Sequence, residues 1–212
     1  MNKLASGATR ALVASSLSLA LLAGLAGCAP LVVGGAMVGG VLVATDRRTT
    51  GAQIEDQGIE IKAAARVREL ATLGHVNVTS YNRVALLTGE VPDADARTRL
   101  EAAVARVENV RSVVNELAIA GASSLTSRSN DALLTTKVKA SLVDARDLYA
   151  NAFKVVTERG IVYLMGRVTE REAARGAEVA STVPGVQKVV RVFEILGEDE
   201  LRALKIEPAP AR

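Results

Sequence analysis

The chain has 212 residues, one cysteine, one histidine and a formal net charge of +3. A single thiol forms no internal disulfide, and one histidine with one cysteine is too few for a zinc site. The nearly balanced charge gives no argument for nucleic acid as a partner.

Residues 1–27 have the pattern of a secretory signal peptide. Lys3 and Arg10 precede an apolar run that ends in Leu-Ala-Gly-Cys at 25–28, and the run is shorter than the ~20 residues that a spanning helix needs. The ending resembles the lipobox of bacterial lipoproteins, which implies cleavage before Cys28 and acylation of its thiol. Because the signal holds two bases and no acid, the charge then falls from +3 to +1. The alternative is a transmembrane helix with Cys28 in a core.

An apolar, glycine-rich segment follows at residues 31–44. We interpret it as a membrane-proximal linker near the lipid anchor, since glycine disfavours a long helix. The alternative is a helix whose paired glycines let a second helix approach closely.

Two stretches, 76–91 and 153–168, repeat each other at an offset of 77 residues. Apolar residues alternate with polar ones in both, which predicts two β-hairpins. Asn82-Arg83 and Arg159-Gly160 supply the turns, because Asn and Gly tolerate positive φ. The residues assigned structural turn roles are Gly89, Gly160 and Gly166.

Each hairpin lies between two predicted helices, and a third strand follows. Apolar residues at helical spacing precede each hairpin, and Ser129, Asn130 and Asp131 are interpreted as capping the second of these helices. Amphipathic helices are predicted at 93–107 and 169–183, followed by strands at 110–119 and 186–196. The unit is helix, strand, strand, helix, strand, used twice.

This order resembles the BON domain of Gram-negative envelope proteins. The sharper matches are Ser129-Asn130-Asp131, the hairpin end Val162–Gly166 and the helix start Val168–Ala173, which resemble the dual-BON outer-membrane lipoproteins; 45–51 fits their segment ahead of the first domain. The resemblance implies an α+β fold of two tandem domains, each with a small three-stranded sheet packed on two helices. The assigned segments are a signal peptide at 1–27, a lipidated linker at 28–52, a first domain at 53–120, a linker at 121–128, a second domain at 129–196 and a tail at 197–212.

No constellation of residues predicts catalysis. His75, the only histidine, stands beside Gly74 at a strand entrance, and the serines at 123–129 lie in a linker without a nucleophile-elbow pattern. Acids occur mostly at helix starts, where capping explains them. We expect no enzyme activity, no cofactor, no metal and no small-molecule substrate.

The helix at 131–144 carries a candidate lipid-binding surface. Leu134, Val138 and Leu142 are expected to face the sheet, which leaves an apolar residue and several cations outside this stripe. An exposed apolar residue beside cations suits an anionic bilayer. The candidate lipid-binding residues are Leu133, Thr136, Lys137, Lys139 and Arg128. The alternative is that Leu133 packs against the other domain and the lysines form a solvated face.

The family resemblance implies binding of anionic phospholipid, phosphatidylglycerol or cardiolipin, by the second domain, in support of envelope integrity and at the division site. Ala29, directly after Cys28, is not the aspartate that favours inner-membrane retention, so the expected location is the periplasmic face of the outer membrane. The competing hypothesis is an adaptor that docks on envelope proteins through a strand edge.

Overall fold

A computed structural model of the chain describes residues 46–70 and 74–203. The predicted signal peptide, Cys28 and the segment 31–44 lie outside the described residues, as does the tail beyond Ala203. The elements are α1 (Thr50–Leu70), β1 (His75–Tyr81), β2 (Val84–Val91), α2 (Ala94–Ala105), β3 (Ser112–Asn115), β4 (Ala118–Ile119), α3 (Leu125–Asp144), a 3₁₀ turn (Ala150–Ala152), β5 (Phe153–Glu158), β6 (Ile161–Val168), α4 (Glu170–Ser181), β7 (Lys188–Ile195) and α5 (Glu198–Ala203).

The predicted α+β fold is confirmed, with the helix-strand-strand-helix-strand unit used twice. In each module the hairpin is antiparallel, and the third strand joins the second one in parallel. Both helices of a module cover one face of its sheet and bury aliphatic side chains there. A parallel third strand requires a crossover connection, and the second helix of each module supplies it.

The third strand of the first module departs from the prediction. The strand expected at 110–119 is divided into β3 and β4, which both pair with β2. The side chain of Asn115 accepts a hydrogen bond from the Leu117 amide at 3.2 Å, and Leu117 is 3% exposed in the core. That local bond takes the amide out of the ladder, so the first sheet counts four strands.

The outer faces of the two sheets pack against each other. Tyr81 and Leu86 of the first sheet form one apolar cluster with Tyr163 and Met165 of the second. Leu86 and Tyr163 occupy equivalent positions of the repeat, so the two copies meet through matching surfaces. The described chain is therefore one body with three apolar clusters, one inside each module and one between them.

An aspartate on the first helix of each module holds the hairpin turn. Asp56 accepts hydrogen bonds from the amides of Asn82 at 2.7 Å and Arg83 at 2.8 Å. Asp131 accepts the equivalent bonds from Arg159 and Gly160, both at 2.8 Å. All four turn residues have positive φ, as a type I′ turn requires.

The prediction that Ser129, Asn130 and Asp131 cap the second helix is wrong. The helix begins at Leu125, and the Ser124 side chain caps it by accepting a bond from the Ser127 amide at 3.1 Å. Half of the predicted linker, residues 125–128, is thus helical, and α1 likewise begins at Thr50, before the assigned boundary at 53.

Only one of the three assigned turn glycines lies in a turn. Gly160 does, with φ of 73°, whereas Gly89 lies inside β2 and Gly166 inside β6. A Cβ on Gly89 would overlap the carbonyl oxygen of His75, and one on Gly166 would overlap that of Ala152. Both positions need glycine because another backbone approaches closely.

Candidate membrane-binding surface

Helix α3 carries the candidate surface, and its inner side fixes its rotation. Leu134, Val138 and Leu142 are buried against the second sheet as predicted, with exposures of 7, 0 and 1%. Asp131 continues this buried line and is fixed by the hairpin turn. The opposite side of the helix therefore faces outward.

That outward side is more apolar than the sequence analysis predicted. Leu133 is 62% exposed, so it is not packed against the other module, and Leu125 and Val143 are 79 and 68% exposed. Leu125 and Val143 are about five helical turns apart and lie on one line along the helix, while Leu133 lies ~80° away around it. The three side chains form an exposed apolar strip along α3.

Lys137 borders the strip on one side. It lines a hollow of about 500 Å³ together with Leu133, Arg159 and the loop residues Gly185 and Gln187. No ion pair of Lys137 occurs among the described residues. Its ammonium group is thus available beside an exposed leucine.

Lys139 points to a different part of the surface. Residues two apart on a helix are separated by ~200°, and Lys139 lines a second hollow, of about 480 Å³, with Asp46, Arg48 and Lys154. The structure therefore does not bring the two predicted lysines together. Val143 also lines this second hollow, so the strip of α3 reaches its rim.

The remaining two predicted residues make local contacts. Thr136 is exposed, and its hydroxyl donates to the carbonyl of Ala132 at 3.1 Å. Arg128 is half-buried and donates to the side chain and the carbonyl of Ser123, at 3.2 and 2.9 Å. Arg128 thus ties down the start of α3, so it is the weakest candidate for a headgroup contact.

Sequence reasoning missed Leu125 and Val143 because it started the helix too late and stopped at its central turns. The signal that could have found them was Ser124, which is a favoured N-cap residue type directly before Leu125. With the start placed there, helical spacing aligns Leu125 with Val143.

Comparisons with known proteins decide the family. The family profile described as the BON domain matches residues 57–121 and 130–197, one match in each module. The chain belongs to the BON family. The outer membrane lipoprotein DolP of Haemophilus influenzae is 42% identical over 176 residues, which cover 81% of this chain and 90% of that protein.

Two further proteins are similar to this BON-domain chain. A 21 kDa hemolysin of Actinobacillus pleuropneumoniae is 33% identical over 151 residues, which cover 70% of this chain and 78% of that one. The solved structure of CdsD, a structural protein of the type III secretion system of Chlamydia trachomatis, aligns at 13% identity with a TM-score of 0.29 over 73% of this chain and 98% of that chain. This last likeness is too weak to carry an argument about the fold.

The equivalent helix of the first BON domain differs in its charges. Helix α1 exposes Ile54 and Ile61, at 65 and 71%, but two of its cations are neutralised by ion pairs, Lys62 with Glu108 and Arg66 with Glu69. Acids thus reduce the cationic character of α1. Among the described residues, Arg68 is the one α1 cation without an ion pair, whereas neither Lys137 nor Lys139 of α3 forms one. The larger number of unpaired cations distinguishes the second BON domain.

The described residues contain neither a metal-binding cluster nor a membrane-spanning helix. Among residues 46–70 and 74–203, no group of three or more histidine, cysteine, aspartate or glutamate side chains is placed to hold a metal. Partial burial and the charge of Arg128 lower the pKa of His75. In the same ranges, no helix combines the length and apolarity needed to cross a membrane.

Proposed function

We propose that this chain is a non-enzymatic outer-membrane lipoprotein, anchored through acylated Cys28, whose second BON domain docks on anionic phospholipid through α3. The observation that carries the proposal is the exposed strip of Leu125, Leu133 and Val143 beside the unpaired Lys137. Similarity to a named outer membrane lipoprotein over most of both chains supports the location. Support of envelope integrity and a role at the division site belong to the same proposal.

The energies indicate what such docking contributes. Full burial of a Val or Leu side chain stabilises by ~1.5–3 kcal/mol, and shallow insertion supplies only part of this. Each lysine near an anionic surface adds about 1 kcal/mol. Acyl chains contribute ~0.8 kcal/mol per methylene, so they dominate attachment. Helix α3 would therefore select a lipid patch rather than hold the protein on the membrane.

The competing hypothesis, a protein adaptor, depends on strand edges. Within the described residues β7 pairs only with β6, so its eight-residue outer edge has no strand partner. Edges of this kind can accept an added strand. Protein docking of that kind does not require anionic lipid.

The test is flotation of an unacylated chain that begins at residue 40 with vesicles of phosphatidylcholine alone, or with about a third phosphatidylglycerol or cardiolipin. We expect binding only to the anionic vesicles. Leu133→Ser and Lys137→Glu should each weaken it several-fold, and Lys139→Glu should weaken it less because Lys139 faces the second hollow.

The first BON domain supplies matched controls. Ile61→Ser removes an equally exposed apolar residue from α1, and Arg68→Glu reverses an exposed cation there; both should leave vesicle binding unchanged. Equal binding to neutral and anionic vesicles, or equal losses with the α1 and α3 variants, would reject α3 as the lipid-binding surface and favour the adaptor.

A further inference from the structure

The segment directly before α1 contains a deeply buried arginine. The side chain of Arg47 is 0% exposed, and that of Glu172, its partner in α4, is 1% exposed. Nη1 and Nη2 of Arg47 donate to the two carboxylate oxygens at 2.6 and 2.7 Å, and Nη1 also donates to the carbonyl of Arg167 at 3.0 Å. The segment predicted as a linker at 28–52 therefore contains a residue, Arg47, whose side chain is buried in the second BON domain.

The second BON domain fixes this site by its own contacts. Glu172 belongs to the capping box of α4, where its carboxylate accepts the Thr169 amide at 2.9 Å. Burial would raise the pKa of Glu172, but the bonds from Arg47 and Thr169 hold it below its usual range. The acceptor for a guanidinium is thus charged and oriented by the helix start.

The main chain of the segment is recognised as well. Nη1 of Arg167 donates to the Arg47 carbonyl at 2.9 Å, and Nη1 of Arg47 donates to the Arg167 carbonyl. The two arginines thus form a reciprocal pair of side-chain to main-chain hydrogen bonds. Arg167 is itself held by Glu194 at 2.9 Å and Glu200 at 3.1 Å. Side-chain and backbone contacts together are the pattern of a peptide-binding site.

We propose that the second BON domain contains an arginine-binding slot, formed by Thr169, Glu172 and Arg167, whose ligand is an arginine-bearing peptide supplied in this chain by Asp46-Arg47-Arg48. The slot selects arginine over lysine. Only the planar guanidinium presents two parallel donors to both carboxylate oxygens, whereas an ammonium acts as a point charge.

The neighbouring arginine explains what the filled slot does. Arg48 turns to the first BON domain, where it pairs with Asp56 at 2.8 Å and lies 4.2 Å above the ring centre of Tyr81. Arg47 pairs with Glu172 of the second domain and Arg48 with Asp56 of the first, so the two neighbouring arginines reach different domains. We call residues 46–48 the strap. When Arg47 occupies the slot, the strap connects the two domains through the pairs Arg47–Glu172 and Arg48–Asp56.

The first experiment empties the slot in the full chain, purified in mild detergent, by Arg47→Ala. A blocked synthetic peptide of residues 44–50 is then added at millimolar concentration, and thermal melting is followed. We expect the peptide to raise the melting temperature of this variant, and the peptide that carries Arg47→Lys to raise it at least ten-fold less effectively. The wild type, whose slot is filled, and the Arg47→Ala/Glu172→Gln chain should not respond.

A second experiment does not depend on the stability of the emptied variant. Trypsin cleaves after arginine and lysine, so the bonds after residues 47 and 48 report whether the strap is seated. We expect wild-type cleavage there to be at least a hundred-fold slower than in the free peptide. Arg47→Lys keeps a residue after which trypsin cleaves but loses the bidentate ion pair with Glu172, so it should be cut at least ten-fold faster than wild type. Glu170→Gln, which neutralises an exposed acid in the same helix turn, should be cut at the wild-type rate.

Two results would overturn the slot. One is cleavage of the wild type at the rate of the free peptide. The other is an Arg47→Lys chain as protected as the wild type, or a lysine peptide as effective as the arginine peptide, since either means that charge alone suffices.

Discussion

Asp131 is the residue whose removal best tests how each BON domain is built. Its carboxylate is 7% exposed and accepts two amide bonds of 2.8 Å, from Arg159 and Gly160. Both turn residues have positive φ, of 53° and 73°, and the non-glycine residue holds that conformation at a cost. The carboxylate therefore stabilises a turn that the backbone alone disfavours.

The magnitude follows from these contacts. A hydrogen bond to a charged group contributes ~1.5–3 kcal/mol, and Asp131→Ala loses two. Water can reach part of the turn, since Gly160 is only half-buried, and alanine returns a few tenths of a kcal/mol in helix propensity. We expect a loss of about 3 kcal/mol in the free energy of unfolding.

Urea unfolding of the chain from residue 40 measures this loss. With a slope of about 2 kcal/mol per molar urea, the midpoint should fall by ~1.5 M. Asp131→Asn should lose nearly as much, because its amide nitrogen would meet an N–H donor. Asn130→Ala, on the exposed side of the same turn, should change stability by less than ~0.5 kcal/mol. A loss below 1 kcal/mol for Asp131→Ala, or wild-type stability for Asp131→Asn, would refute the proposed stabilisation of the turn by the Asp131 carboxylate.

Three further predictions concern the strand interior, the domain junction and the membrane contact. Gly89→Ala should destabilise the chain by several kcal/mol in urea, because its Cβ would overlap the carbonyl oxygen of His75. Burial raises the pKa of Glu158; a hydrogen bond from Asn77 opposes this rise, and the charge of nearby Glu90 adds to it. The protonated side chain therefore contributes stability that is present below about pH 4 and is lost as the pH rises through the pKa of the folded state. Glu158→Gln should accordingly melt at a higher temperature than wild type at pH 7 and at the same temperature at pH 4. Binding to phosphatidylglycerol vesicles should fall several-fold between ~0.05 and 0.5 M salt, because the lysine contribution is screened, and salt-independent flotation would contradict it.

The fold was largely predictable because its signals are local and repeated. Alternation in the hairpins, helical spacing at Leu134, Val138 and Leu142, and the second copy of the unit all agree on one architecture. The break in the third strand near Asn115 was not predictable. The break depends on the Asn115 side chain, which accepts a hydrogen bond from the Leu117 amide in place of a strand partner. The pattern of apolar residues gives no information about that hydrogen bond.

The candidate site was predicted only in part, and the reasons are geometric. The two lysines of α3 were grouped by closeness in sequence, although a separation of two residues places them on different sides of a helix. Arg47 was missed because its partner Glu172 is 125 residues away. A short charged segment before a helix is typical of a solvated linker, and only tertiary structure shows that it is buried.

The strap begins beside the surface that we propose to contact lipid. Asp46, the first described residue, lines the same hollow as Lys139 and Val143 near the end of α3. Asp46, from which the chain leads back to Cys28, therefore lies beside the helix proposed to contact lipid. The 18 residues from Cys28 to Asp46 span at most ~65 Å when fully extended.

With Cys28 acylated as proposed, a connection of that reach would keep α3 near the membrane at an effective concentration in the millimolar range. Helix α3 then needs only millimolar affinity for its lipid, about 4 kcal/mol, to be engaged half of the time. The exposed strip and one lysine can supply that much. Emptying the slot would free the tether from this end of α3, so Arg47→Ala should reduce lipid selection by the anchored protein while its attachment through Cys28 is unchanged.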